Sequence, residues 1–469
     1  MAAYSRAAAR AMDAAEPGDA LRLLGESEKV RTLSPPDRLL RARAHLRLGD
    51  TVDALTRLES LAEDVGIDLP GAETQPVAAE HASIAARTLV VAGRAYRALG
   101  EADRAAEAWR HAWRIAVDHG LANEQADALC RLGMFDYLSG RLRRAEERFI
   151  MALDVATQAD DSRAQAWALQ HLAWVQTSRG DFDAADASLG RAARHFALRR
   201  DRMGRAWVRS SAAFTRLLAG RLREASRLAE AFGPFGEKVG DSWAVGMLRA
   251  VSAFSAVELG NIEHADAMAR KAFRSFDRID DAWGKGFTLV VRATIARDLR
   301  EQDHALELLD EAEQYVASAA NPLLSGMAQT LRGYCLLSKE DFDGAEAAAK
   351  ATLSLTVPHE VLEPVKVGPL AMFAEARLAK GDRKTAMRWL GELSRHYAAP
   401  ALLFPRRRVV ARYAQLLHGE GRVSEAREWA LRALEAPGED AFSGEFVMSV
   451  AKEVGVDTVD SSLQVMAAS

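Results

Sequence analysis

The chain has 469 residues, 62 of them basic and 66 acidic, for a formal net charge of −4. That near-balance argues against a protein that coats nucleic acid with its whole surface, so direct nucleic-acid binding is not expected. Two cysteines, Cys130 and Cys335, are too few for a disulfide framework and suit a reducing cytosol; no run approaches the roughly 18 apolar residues of a spanning helix.

Met1 to Ala15 is rich in alanine and carries Arg6 and Arg10, a composition that transit peptides share. Asp13 and Glu16 follow quickly and the segment runs straight into repeat-like sequence. It is therefore read as the first helix of an opening unit over residues 1–35, degenerate across Ser5 to Gly25. A beat then sets in at Gly49 and resumes at Gly100, Gly140, Gly180, Gly220 and Gly260. It passes through Arg300 and Glu340 and returns to glycine at Gly381 and Gly421. Five residues after each position stands an alanine: Ala54, Ala105, Ala145, Ala185, Ala225, Ala265, Ala305, Ala345, Ala386 and Ala426. Seven residues before each stands a glycine or alanine, from Ala42, Gly93 and Gly133 to Ala374 and Ala414. Self-similarity at this period marks a stack of supersecondary units, each burying its apolar face against its neighbours.

One unit, Asp161 to Arg200, shows the plan. The pattern predicts a helix over Ser162–Arg179, a turn at Gly180 and a second helix from Phe182 to about Leu198. Asp161, Asp201, Asp241 and Asp281 recur where a carboxylate can accept from the free amides of a helix start. Asn321-Pro322 takes that place at the next beat. Small residues on both sides of the turn let the two helices of the hairpin approach closely. The helices are expected to run some 16 to 18 residues, roughly 25 Å.

The beat is disturbed in three places. A loop insertion over 66–79 contains Pro70-Gly71, an irregular stretch over 356–369 carries Pro358, Pro364 and Pro369, and a third covers 396–408. The repeat signature ends at Ala436, leaving a cap and tail over 437–469. The expected organisation is one all-α array over 1–436 with that appendage.

Gly93, Tyr96, Gly100, Ala105, Trp109 and Ala112, followed by Gly133, Gly140, Ala145, Phe149 and Ala152, resemble the tetratricopeptide repeat. The forty-residue period, with Asp281, Trp283 and Gly284 or Asp241 and Trp243 opening the first helix, is similar to repeats of large bacterial signal-transduction ATPases and their regulators. The resemblance implies a right-handed superhelical solenoid of about ten to eleven hairpins, whose first helices line a concave groove that binds proteins or peptides.

No phosphate-cradling loop, dinucleotide fingerprint or zinc-spaced Cys/His cluster is present in the sequence. No cofactor, metal or catalytic role is expected. Two periodic stripes remain. Six residues before the turn stand Met134, Trp174, Phe214, Phe254, Thr294 and Tyr334; thirteen before it stand Asp127, Trp167, Trp207, Met247, Phe287 and Met327. Seven residues are two helical turns, so each pair shares a face. The apolar members are candidate partner-binding residues of the groove, with packing between neighbouring units as the competing reading. A basic run containing Arg199, Arg200, Arg202 and Arg205 is a candidate patch for an anion or acidic partner, against solvated surface arginine. The expected function is a cytoplasmic noncatalytic scaffold for a protein or peptide; the alternative is a sensor in which a signalling peptide or a small-molecule effector controls a separate chain.

Overall fold

The computed structural model describes residues 2–13, 16–70, 76–319, 322–356, 363–396, 406–436 and 441–456. Among them every regular element is a helix. The first four are α1 (Ala2–Asp13), α2 (Pro17–Glu28), α3 (Pro35–Leu48) and α4 (Thr51–Val65). There follow α5 (Ala82–Ala98), α6 (Ala102–Asp118), α7 (Ala122–Leu138), α8 (Leu142–Gln158), α9 (Ser162–Arg179), α10 (Phe182–Leu198), α11 (Arg202–Leu218) and α12 (Leu222–Val239). Next come α13 (Ser242–Glu258), α14 (Ile262–Asp277), α15 (Ala282–Asp298), α16 (Gln302–Ala319), α17 (Pro322–Ser338) and α18 (Phe342–Thr356). The last are α19 (Glu363–Ala379), α20 (Arg383–His396), α21 (Arg406–Gly419), α22 (Val423–Glu435) and α23 (Ala441–Glu453).

Each hairpin is built by the signals its sequence carries. Oδ1 of Asp161 accepts from the Ala164 amide at 3.1 Å, Asp201 from Gly204 at 2.9 Å and Asp281 from Gly284 at 2.6 Å, closing the helix starts. The turn position takes a left-handed backbone at every beat: φ is 72° at Gly140 and 78° at Gly180, and also 64° at Arg300 and 62° at Glu340, where glycine is missing. Close approach explains the small residue seven positions earlier. A Cβ on Gly93 would fall inside the Trp109 indole, and one on Gly133 inside the Phe149 ring. Trp109 is held there by its Nε1, which donates to the Val90 carbonyl at 3.1 Å. The alanines five residues after the turn, Ala105, Ala145, Ala185 and Ala225 among them, are fully buried.

Contacts divide the chain into two compact units where the sequence reading has a single array. Unit 1 comprises Met1–Val175, Ala187–Val208 and Gly236–Asp241; unit 2 comprises Gln176–Asp186, Arg209–Phe235 and Ser242–Ser469. In unit 1 a core of Leu39, Leu58, Leu61, Leu89, Tyr96, Trp109 and Ile115 joins α3 to α7. In unit 2 α23 packs on α21 and α22, and its Val447, Val450 and Ala451 complete the apolar cluster of the last hairpins.

Two boundaries differ from the sequence reading. The irregular stretch expected over 356–369 is helical from Glu363 onward, with both Pro364 and Pro369 inside α19. Pro364 lies in the first turn, where its missing amide has no bond to lose, whereas Pro369 removes one helical hydrogen bond. Likewise Arg406, Arg407 and Arg408 open α21 rather than ending a loop. Residues 71–75 of the expected insertion, Asn321, residues 357–362 and 397–405, and the tail 457–469 lie outside the described residues.

Candidate binding surface

The first helices of successive hairpins carry the two stripes, and the structure treats their members differently in the two units. In unit 1, Met134 on α7, Trp167 and Trp174 on α9 and Trp207 on α11 are half-buried. Trp207 meets Trp167 edge-on, with ring centroids 5.7 Å apart, and stacks on Trp174 at 6.1 Å. Tyr137 of α7 touches Trp174 at 5.9 Å, so the rings run continuously across three first helices. His171 lies among them, 5.3 Å from the Phe149 ring and 6.0 Å from both Trp167 and Trp174.

In unit 2 most stripe residues are buried. Phe254 and Phe287 are fully covered, and Met247, Met327 and Phe214 nearly so, leaving Tyr334 half-buried. For the phenylalanines part of that cover is a contact between non-adjacent first helices. Phe214 of α11 reaches past α13 to Trp283 and Phe287 of α15, at 5.8 and 5.6 Å, both edge-on. Phe254 of α13 packs on Phe287 at 5.9 Å. In this arrangement Phe214, Met247, Phe254, Phe287 and Met327 are core.

The basic run occupies the α10–α11 turn. Arg199, Arg200 and Arg202 are exposed and Arg205 is half-buried. Asp201 caps α11 and also pairs with Arg163 at 3.4 Å, and Arg202 Nη2 donates to the Lys238 carbonyl at 3.5 Å, a long contact.

The sequence reading missed a second basic group, although its signal is the same stripe continued upstream. Six residues before Gly49 and Gly100 stand Arg43 and Arg94, and thirteen before Gly100 stands Arg87. Arg43 and Arg94 are half-buried on α3 and α5, and α3 packs against α5 as α5 does against α7. Among the described residues neither guanidinium has a carboxylate within ion-pair distance; the nearby Asp127 is bonded at 3.2 Å to Arg131. Burial first, and then the charges of Arg131 and Arg43, pull Arg94 down to about 9. Burial, then Arg47 and Arg87, lower Arg43. Arg94 remains cationic at neutral pH. His171 is pushed down to about 3, by burial and then by Arg131, so its imidazole is neutral, and its buried Nδ1 makes no hydrogen bond.

Among the described residues no group of three or more His, Cys, Asp or Glu side chains is arranged to hold a metal ion, and no helix is long and apolar enough to cross a membrane. A family profile, the tetratricopeptide repeat, matches residues 124–197, which span the consecutive hairpins α7–α8 and α9–α10. The chain carries tetratricopeptide repeats over these residues. Its repeats are stacked antiparallel hairpins of the all-α solenoid class.

Comparison with curated protein sequences finds no match. Among solved structures, this tetratricopeptide-repeat chain is similar to a Rap protein crystallised in complex with Competence and Sporulation Factor. The TM-score is 0.56 at 14% identity, over 76% of this chain and 98% of that one. A weaker likeness joins it to the apo form of RapI, with a TM-score of 0.46 at 11% identity over 76% of this chain and 95% of that one. Another joins it to a signal-transduction ATPase with a tetratricopeptide repeat sensor from Pyrococcus horikoshii, with a TM-score of 0.38 at 14% identity over 89% of this chain and 55% of that one. At such identities the Rap likeness speaks for the fold alone.

Proposed function

We propose that this tetratricopeptide-repeat chain is a noncatalytic scaffold that binds a protein or peptide along the face built by the first helices of unit 1. One observation carries the reading: Trp167, Trp174 and Trp207 are in ring contact and yet partly open to solvent. Tryptophan is enriched among residues that dominate binding energy, and an aromatic strip along stacked helices suits an extended peptide or an amphipathic helix. The Rap protein of similar fold was crystallised with a factor bound, which supports a peptide-type partner here. It also favours the sensor form of the proposal, in which an occupant of this face alters how the chain engages a separate effector. Two free, buried thiols, Cys130 and Cys335, support a cytoplasmic setting.

The test is affinity capture with the intact chain and with Trp174→Ser and Trp207→Ser, reading proteins and small molecules by mass spectrometry. The proposal expects a stoichiometric protein or peptide that both variants lose while circular dichroism stays unchanged. Capture indifferent to both substitutions, or turnover of a bound metabolite, would overturn it.

A further inference from the structure

Second helices expose the residue eleven places after the turn: Ser60, Met151, Arg191, Lys271, Glu311 and Arg432 all face solvent. The repeat of α5 and α6 departs from this rule. Its residue at that place, His111, is buried, and neither ring nitrogen has a hydrogen-bond partner among the described residues. A neutral imidazole carries one donor and one acceptor, so both are left unsatisfied, a costly state that a charge on the ring would make worse. What sets this repeat apart is the long connection between α4 and α5. Its described parts, residues 66–70 and 76–81, share a core with α6. Ile67 is buried in the cluster that holds Ala108 and Ile115 of α6, and Leu69 and Val77 pack on that cluster. Asp68, on the same connection, lies near enough to act on the His111 ring.

We propose that these parts of the connection form a strap over the outer face of α6, seated while His111 is neutral and released when the ring takes up a proton. Two charged groups among the described residues bear on the ring. Arg114, further along α6, opposes a positive charge there, and Asp68 on the strap favours one. α4, which contributes Leu61 and Val65 to the same core, and α5 bring no charged group that acts on it. Burial is the largest influence and, with Arg114, holds the seated ring down to about 4 against an ordinary 6.5. The seated value is the lower one, so the seating has its full strength above pH 6.5 and loses it as pH falls towards 4. Between pH 7 and pH 5 the ratio of released to seated strap therefore rises about twentyfold. Release opens to solvent a part of α6 around His111 that the other repeats leave open at all times. The inference concerns a second helix and stands apart from the groove reading.

The experiment is methyl NMR of the full chain labelled at isoleucine δ1 carbons, with saturation transfer reading the released population at pH 7, 6 and 5. Ile67 reports on the strap and Ile115 on α6, while Ile262 on α14 and Ile295 on α15 serve as internal references. The released population at Ile67 and Ile115 is expected to rise together, about threefold at pH 6 and about twentyfold at pH 5 relative to pH 7, with the references unmoved. His111→Leu should abolish the rise, and His119→Leu, at the end of the same helix, should leave it intact. A population at Ile67 that does not change with pH, or that rises just as much in His111→Leu, would overturn the strap. So would a matching rise at Ile262 and Ile295, which marks unfolding of far more than the strap, or equal loss of the effect in His119→Leu. Should His111→Leu not fold by circular dichroism, His111→Gln decides, because its amide stays uncharged throughout this range. The rise should vanish in that variant too, and its persistence would refute the proposal.

Discussion

Arg300 and Glu340 occupy a backbone conformation that elsewhere in the same cadence belongs to glycine. Their φ values of 64° and 62° match those of the glycine turns, so the hairpin geometry overrides a local preference that costs a Cβ-bearing residue about 1–2 kcal/mol. Both side chains are exposed. Arg300→Gly and Glu340→Gly are therefore expected to raise stability by about 1 kcal/mol each, offset in part by glycine's greater freedom in the unfolded chain; a lowered melting temperature in either variant would refute this. Histidine offers a second residue-level test. His111 is 1% exposed with neither ring nitrogen hydrogen-bonded, and burial, then Arg114, hold it down at about 4. Its folded value lies below the unfolded one, so its contribution is present above pH 6.5 and is lost as pH falls towards 4. Each such histidine adds a slope of about 1.4 kcal/mol per pH unit in that window. Denaturant midpoints measured between pH 6.5 and 5 should fall steadily, and His111→Leu should flatten the decline. An unchanged slope in the variant would mean that the ring is satisfied or solvated.

At the level of the element, much was legible because the signals are local. α9 and α10 run over Ser162–Arg179 and Phe182–Leu198, as the aspartate cap, the turn glycine and the small flanking residues predict. Prolines misled: Pro364 and Pro369 read as loop, yet they sit inside α19, where Pro364 falls in the first turn and has no helical bond to lose. What no stripe reveals is whether a given ring is core. Trp174 and Phe214 hold the same place in consecutive repeats, but Phe214 is covered by Trp283 and Phe287 from two hairpins onward, a contact set by packing rather than by period. Phe214→Ser should accordingly cost about 3–5 kcal/mol by leaving a cavity. Trp174→Ser should leave the melting temperature much nearer the parent value while removing the partner. Equal losses of stability would make Trp174 a core residue too. Arg43 and Arg94 escaped notice because the stripe was read from Met134 onward; extended two repeats upstream, the same register finds them.

For the molecule as a whole, stability is distributed rather than concentrated. In a repeat array each hairpin draws support chiefly from its neighbours, so the ends have half the support of the middle. Native-state hydrogen exchange should therefore find α1, α2, α22 and α23 opening at lower free energy than α13 to α16. Uniform protection across all of these helices would contradict that expectation and indicate a single cooperative block. The aromatic bridge from Phe214 to Phe287 modifies the picture inside unit 2, because it couples helices that are not adjacent in the stack. A spring made of equal coils stretches everywhere alike, but one with a rivet through three coils does not. Any breathing along this stretch of unit 2 must first unseat four packed rings, so compliance is withheld from the parts of α11, α13 and α15 that carry them, and these parts are expected to move as one piece.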